Sequence, residues 1–247
     1  MSTQSERAID GYGKIAHLDL NTTARAGRYS FQEAQMRRIL PEILPKLQLE
    51  PQHEVLEIGC GTGMLLIPMS FLVARVVGLD HPKVVEELAG RLPGNDITLV
   101  GGAFPDTTVE GKFDRVVTYS VIQCLPSFED AKVFARAAAG YLKPGGRLLI
   151  GDVASADKKK RFAASDFGKQ FEQDWARLRA ESGELKEAEL EAQKILASSS
   201  VLGGMTDAQI MELILDLRGE GYEAYLLPQD PELPFGRTRE DILVIKY

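Results

Sequence analysis

Apolar residues follow two alternating rhythms along this chain. Val55 to Ile58, Arg75 to Leu79, Ile97 to Val100, Phe113 to Tyr119 and Arg147 to Val153 are short runs, apolar nearly throughout. Between them lie longer stretches: Met64 to Leu72, bent near Pro68, Pro82 to Leu92, stopped by Pro93-Gly94, and Asp130 to Leu142, closed by Lys143-Pro144-Gly145-Gly146. The first rhythm predicts buried strands and the second helices. Together they predict an α/β fold, with a doubly wound, mostly parallel sheet covered on both faces.

Ahead of the first strand, Phe31, Ala34, Met36, Ile39, Leu40, Ile43, Leu44 and Leu47 predict an amphipathic helix. Ser30 is its expected N-cap, Glu33 the capping-box partner, and Pro41 the kink. Residues 1–28 read as a polar arm with a short helix. After Val153 the rhythm breaks, and residues 154–204 predict two or three helices, the last from Glu184 to Ser198. They hold too few large apolar residues for a core of their own, so a lid over the carboxyl edge of the sheet is expected. A helix capped at Thr206 or Asp207 runs to Leu217, and strands from Tyr222 to Leu227 and Asp241 to Lys246 form an antiparallel edge pair. The expected organisation is an arm and helix over 1–48 contributing to a cap, and a core over 49–247 carrying 154–204 as a helical lid.

A net charge of −7 over 247 residues argues against an extended nucleic-acid footprint. Lys158-Lys159-Lys160-Arg161 leaves room for one local anionic contact. Two cysteines make no disulfide framework, and no basic start followed by an apolar segment is present, so a cytoplasmic protein outside the membrane is expected. No HxxxH or CxxC spacing occurs, and no metal site is expected.

The chemistry concentrates at Glu57 and at Gly59-Cys60-Gly61-Thr62-Gly63, where a strand turns into a helix. In a parallel sheet such turns hold ligands, because the loops open there and the helix presents free N–H groups. Asp80 ends the next strand, where a carboxylate suits a ribose diol. NAD would suit this too, but a pyrophosphate gains nothing from a carboxylate two residues before the first glycine, whereas a cationic ligand does. Cys60 is expected to be a small buried hydrophobe and His53 a surface residue.

VLEIGCGTG, VVGLD, KFDRVVTYSVIQCL and LKPGGRLLIGDV, in that order, closely resemble the motifs of the class I methyltransferases that use S-adenosylmethionine. The resemblance covers residues 50–153 and 206–247 and implies a seven-stranded sheet. It implies that Glu57, Gly59 and Gly61, with Cys60 and Gly63 in the same turn, seat the methionine part of the cofactor. It further implies that Asp80 holds the ribose, that His81 lines the adenine, and that Tyr119 and Ser120 wall the departing methyl. Where similar enzymes carry Gly-Asp-Ala, this chain has Gly101-Gly102-Ala103, which leaves Gly102, Ala103 and Phe104, or Asp106, to hold the adenine. The product would be S-adenosylhomocysteine.

An oxygen nucleophile needs a base. His17 in the arm is the candidate, with Tyr119 as the second catalytic residue. Tyr12, Arg28 and Tyr29 from the arm, with Phe171 and Trp175 from the lid, are the expected acceptor-binding residues. The bland alternatives stand beside these: an aromatic stripe packs more often than it binds, and charged arm residues are often only solvated. Thr118-Tyr119-Ser120-Val121 replaces the Asn-Pro-Pro-Tyr or Asp-Pro-Pro-Tyr of base-methylating enzymes, which lowers nucleic acid as an acceptor. The reading is methyl transfer to a small, anionic molecule at oxygen, by a monomer or homodimer. N- or C-methylation, or a non-catalytic adenosylmethionine-binding assembly partner, are its alternatives.

Overall fold

The computed structural model describes residues 11–181, 187–199 and 202–247. The first ten residues of the arm and the expected helix start at Glu184 lie outside the described residues. Seven strands, β1 (Glu54–Ile58), β2 (Arg75–Asp80), β3 (Ile97–Gly101), β4 (Phe113–Tyr119), β5 (Leu142–Ala154), β6 (Glu223–Pro228) and β7 (Arg239–Ile245), form one sheet in the order β3-β2-β1-β4-β5-β7-β6. β1 to β5 run parallel, and β7 is antiparallel to both β5 and β6. The winding moves outward from β1 to β3 and returns to β4, so the carboxyl ends of β1 and β4 open a crevice at the switch point.

The central strands are mostly apolar because both faces are covered. Leu56, Val116, Leu148 and Ile150 pack on one side with the helices Phe128–Gly140 and Asp207–Gly219. Val55, Val76, Val117 and Leu149 pack on the other with Ile39–Leu47 and Leu88. Alternation along β1 puts Glu57 on the same side as Val55, a carboxylate on a buried face. Arg115 of β4 donates to the carbonyls of Leu47 at 2.5 Å and Gln48 at 2.9 Å, which satisfies the end of the Ile39–Leu47 helix.

Residues 154–199 hold three helices, Ala156–Ala164, Asp166–Glu181 and Glu187–Ser199. The last completes a small third cluster with the arm: Ala192 packs with Ile15, Leu20 and Ala24. No described helix is long and apolar enough to cross a membrane.

Several boundaries differ from the expectation. The helix foreseen from Ser30 is broken into a turn at Ser30–Gln32, a short helix Glu33–Met36 and the helix Ile39–Leu47. Its cap is Tyr29, whose amide donates to Gln32 Oε1 at 3.0 Å. The break precedes Pro41 because a proline ring clashes with the carbonyl four residues back and is tolerated in a first turn. The helix after the glycine turn shrinks to Leu66–Met69, and Leu142 opens β5 rather than closing a helix. His53 is buried instead of exposed; its Nδ1 accepts from the Glu50 amide at 2.9 Å, and burial lowers its pKa.

Candidate active site

After Ile58 the chain turns through three glycines with left-handed backbone, Gly59 (φ 81°), Gly61 (φ 50°) and Gly63 (φ 78°). A Cβ on Gly59 would meet Val121 at 2.4 Å and one on Gly63 would meet Leu88 at 2.6 Å, while Gly61 faces open space. The amides of Gly59 and Cys60 both donate to the Leu79 carbonyl, at 2.7 and 3.2 Å, tying the turn to the end of β2. There Asp80 accepts from the Gly61 amide at 2.7 Å and from the His81 amide at 2.6 Å.

Glu57 is buried, and its Oε2 has no hydrogen-bond partner among the described residues. Burial, reinforced by the negative charge of Asp80, pushes its pKa well above the usual carboxylate range. Burial also raises Asp80, partly offset by the two amides it accepts from. Among the described residues neither carboxylate forms an ion pair, and both line a cleft of about 1040 Å³, its open mouth included, walled by Gly59, Gly61, Tyr119 and Ser120 and roofed by Tyr12, Ile15 and Arg25 of the arm. Arg25 pairs with Glu87 and donates to the carbonyls of Ala16, Leu18 and Leu20, which holds the arm over the cleft.

A second cleft, about 1810 Å³ with its mouth, lies between the lid helices and the loop before β7. Phe162, Phe171, Trp175 and Phe235 line it together with Lys159, Arg237 and Arg239. Phe171 and Trp175 stack with centroids 6.2 Å apart at 17°, and Trp175 meets Tyr29 and Phe31 of the arm edge-on at 5.9 and 5.1 Å.

Ser120, in the lining of the first cleft, is linked through Arg28 and Asp152 to Phe235 and Arg239 in the lining of the second, which makes Ser120, Arg28 and Asp152 the wall between the clefts. One guanidinium nitrogen of the buried Arg28 donates to Ser120 Oγ at 2.7 Å and to Asp152 Oδ2 at 2.6 Å, and Ser120 Oγ donates to the same oxygen at 2.5 Å. Arg28 lies over the Phe235 ring, 5.0 Å from its centroid. Ser120 (φ 63°) and Asp152 (φ 58°) both hold the left-handed backbone that non-glycine residues rarely adopt, at the ends of adjacent strands. Behind them Tyr119 receives a hydrogen bond from Gln229 at 3.3 Å. Burial, aided by Asp152, raises the Tyr119 pKa well above that of a free phenol.

A family model described as a methyltransferase domain matches residues 29–188. The chain belongs to the class I methyltransferases. Among relatives of this methyltransferase, chondramide synthase of Chondromyces crocatus is 29% identical over 202 residues, 76% of this chain and 5% of that protein. Ubiquinone biosynthesis O-methyltransferase of Bradyrhizobium diazoefficiens is 32% identical over 126 residues, 49% of this chain and 47% of that one. The methyltransferase thus spans half or less of either relative's length. In fold it is similar to the magnesium protoporphyrin IX methyltransferase of Synechocystis PCC 6803 with bound S-adenosylmethionine, at TM-score 0.60 and 15% identity over 100% of this chain and 99% of that one. It is also similar to the plantazolicin methyltransferase BpumL, at TM-score 0.63 and 11% identity over 98% and 95%.

S-adenosylmethionine is the methyl donor of this family, and the first cleft fits it. The unpartnered Glu57 oxygen, the open space over Gly61 and two carboxylates with no ion pair among the described residues suit a ligand with an ammonium group and a sulfonium. Of the residues singled out from the sequence for the cofactor, Glu57, Gly59, Cys60, Gly61, Asp80, Tyr119 and Ser120 line this cleft. Cys60 is buried, and burial raises its thiol, as fits a small hydrophobe.

The structure does not bring the others to it. Gly63 packs under Leu88. His81 caps the helix Pro82–Ala89, accepting from the Lys83 amide at 3.2 Å, and its imidazole lies against Gly13. Gly102 is held by its amide on the Asp80 carbonyl at 2.9 Å. Ala103 and Phe104 are buried away from the cleft; Phe104 packs edge-on against Phe134 at 5.1 Å because a large apolar ring gains more in the core than at a polar rim. His17 is exposed in the turn after the helix at 11–15 and lines neither cleft, so the arm closes on the site without delivering its imidazole.

Of the acceptor candidates, Phe171 and Trp175 line the second cleft, Arg28 stands in the shared wall, Tyr29 supports Trp175, and Tyr12 faces the first cleft instead. Asp152 and Phe235, which contact Arg28 between the clefts, were not singled out from the sequence, although Asp152 lies within LKPGGRLLIGDV. For Asp152 a signal exists, an acid interrupting the apolar run Leu148-Leu149-Ile150-Gly151-Asp152-Val153, as Glu57 interrupts its own.

Proposed function

We propose that this methyltransferase transfers the methyl group of S-adenosylmethionine to an oxygen of a small molecule held in the second cleft, beneath a cap made by the arm and residues 154–204. In this reading Glu57 receives the ammonium of the methionine part, Asp80 the ribose hydroxyls, and Gly59 and Gly61 allow the backbone to approach. When bound, the donor supplies a methyl made electrophilic by its sulfonium sulfur. What remains for the protein is to align a nucleophile and exclude water. Arg25 holds the arm down, Tyr29 and Phe31 seat the lid on it through Trp175, and Ser120 presents the face between the clefts.

The observation that carries the proposal is that single shared wall, with a carboxylate-lined cleft on one side and an aromatic, cationic one on the other. The relative named as an O-methyltransferase supports oxygen. The acidic net charge supports a non-nucleic-acid acceptor, and two unpaired cysteines support a cytoplasmic setting, as monomer or homodimer. Incubation with methyl-labelled donor and separate small-molecule, protein and RNA fractions is the test, with label expected in the small molecules. A second reading, in which the acceptor rides on a larger protein, draws on the match within chondramide synthase. Label in the protein fraction would favour it and overturn the first.

A further inference from the structure

Arg239 lines the second cleft with its guanidinium over Phe235, 5.5 Å from the ring centroid. Its Nε stands 3.8 Å from Asp152 Oδ1, beyond hydrogen-bond reach, and its Nη1 is buried with no partner among the described residues. Asp152 makes no hydrogen bond to it at this distance. Its Oδ2 already receives Arg28 and Ser120, while Oδ1 accepts nothing. Of the carboxylates nearby, Glu240 pairs with Lys158 at 3.2 Å, and Glu232 with Arg237 at 2.6 Å. Two guanidiniums therefore flank one carboxylate, beside an aromatic cleft whose lining also carries Lys159, Arg237, Glu172 and Glu232. A guanidinium in the wall of a cleft, with no hydrogen bond to Asp152, gains a charge-assisted one from an anionic ligand.

We infer that the acceptor is a carboxylic acid with a flat apolar body, its carboxylate held by Arg239 against Phe235, and that this carboxylate is the oxygen methylated. The inference rests on the methyl-transfer reading above. A planar carboxylate matches the fork of a guanidinium. The stacked Phe171 and Trp175 give the flat body its wall. The location bears on the chemistry: Arg239 is joined through Asp152 to Ser120, which faces the donor cleft. A carboxylate is already ionised at neutral pH, so no base is needed, and neither described cleft contains a histidine. A carboxylate oxygen bonds to the methyl carbon as the carbon–sulfur bond breaks, its electron pair staying on sulfur. Carboxylate and sulfonium become ester and thioether, and no proton moves.

Trp175, the chain's one tryptophan, reports on this cleft directly. With S-adenosylhomocysteine present, phenylacetic, 4-phenylbutyric and 2-naphthoic acids should quench its fluorescence at concentrations about tenfold below those of their primary amides. Arg239→Gln should abolish that preference and Arg239→Lys restore part of it, with affinity for S-adenosylhomocysteine kept within about twofold in both. In source-cell extract split by anion exchange, labelled methyl should enter the retained acids, and mild alkali should release it as methanol. Amides binding as well as acids, or label that resists alkali, would overturn this inference and leave methyl transfer intact. Absence of label from every small-molecule fraction would overturn the methyl-transfer reading itself.

Discussion

Asp80 accepts the Gly61 amide at 2.7 Å, so the end of β2 holds the glycine turn that follows β1 across the crevice between them. The carboxylate thus shapes the turn as well as facing the cleft. Asp80→Ala should weaken S-adenosylmethionine and S-adenosylhomocysteine alike by about tenfold or more, as loss of a charge-assisted hydrogen-bond pair does. Asp80→Asn, which keeps one acceptor oxygen for Gly61, should lose less. Calorimetric titration decides, and equal affinity in wild type and Asp80→Ala would remove Asp80 from the site.

Glu57 opposes folding in order to bind. Its pKa is raised in the folded protein, so the native state binds the more protons, and its contribution to stability is lost as pH rises above the unfolded value of about 4.3. Glu57→Gln should therefore raise the melting temperature of the ligand-free protein at pH 7 by several degrees, with the gain vanishing near pH 4. The same substitution should abolish tight cofactor binding. In the wild type, affinity should fall on acidification, since only the ionised form pairs with an ammonium group. Thermal melts and binding isotherms across pH test both signs, and a destabilised Glu57→Gln at pH 7 would refute the account.

Gly61 and Gly63 share a backbone handedness and differ in what surrounds them. Alanine at 63 drives a methyl to 2.6 Å from Leu88 and should cost several kcal/mol, combining overpacking with a strained φ. Alanine at 61 meets nothing and should cost about 1 kcal/mol, while projecting into the cofactor's space. Denaturant midpoints should fall mainly for Gly63→Ala and cofactor affinity mainly for Gly61→Ala. The reverse ranking would mean that the turn does not face the ligand.

What could be read ahead was local. An acid closing an apolar run marked Glu57 and Asp80, and the alternation of runs and amphipathic stretches marked the sheet, because both signals lie within a few adjacent residues. The shared wall was hidden because Arg28 and Asp152 stand 124 positions apart and meet only once the arm crosses the sheet. Phe104 was assigned to the cofactor from its place after β3, yet Phe134 and Tyr141, from a distant helix and its end, draw it into the core. The lid's third helix is weakly apolar alone; Ala192 finds its partners in Ile15 and Leu20 of the arm, which no reading of either segment by itself contains.

His17→Ala should leave the rate of methyl transfer and its pH profile unchanged, because the imidazole is exposed and outside both clefts. A rate fall of about a hundredfold, the usual cost of losing a general base, would mean that the arm refolds over the site during turnover.

The Arg28–Asp152 pair is buried on both sides, with side chains 7% and 0% exposed. Removing one member strands a charge, which costs about 3–5 kcal/mol, whereas removing both together costs far less. Asp152→Ala should accordingly lower the melting temperature by roughly 10 °C in a chain of this length. Arg28→Met combined with Asp152→Asn should recover much of it, because the stranded guanidinium is gone and the amide still receives the Ser120 hydroxyl. Asp152→Gly separates charge from conformation, since glycine relieves the φ of 58° but leaves Arg28 unpaired. If the ion pair governs stability, Asp152→Gly should be nearly as unstable as Asp152→Ala. Stability close to wild type for Asp152→Gly would mean that backbone strain outweighs the ion pair, whose role would then be to shape the wall between the clefts.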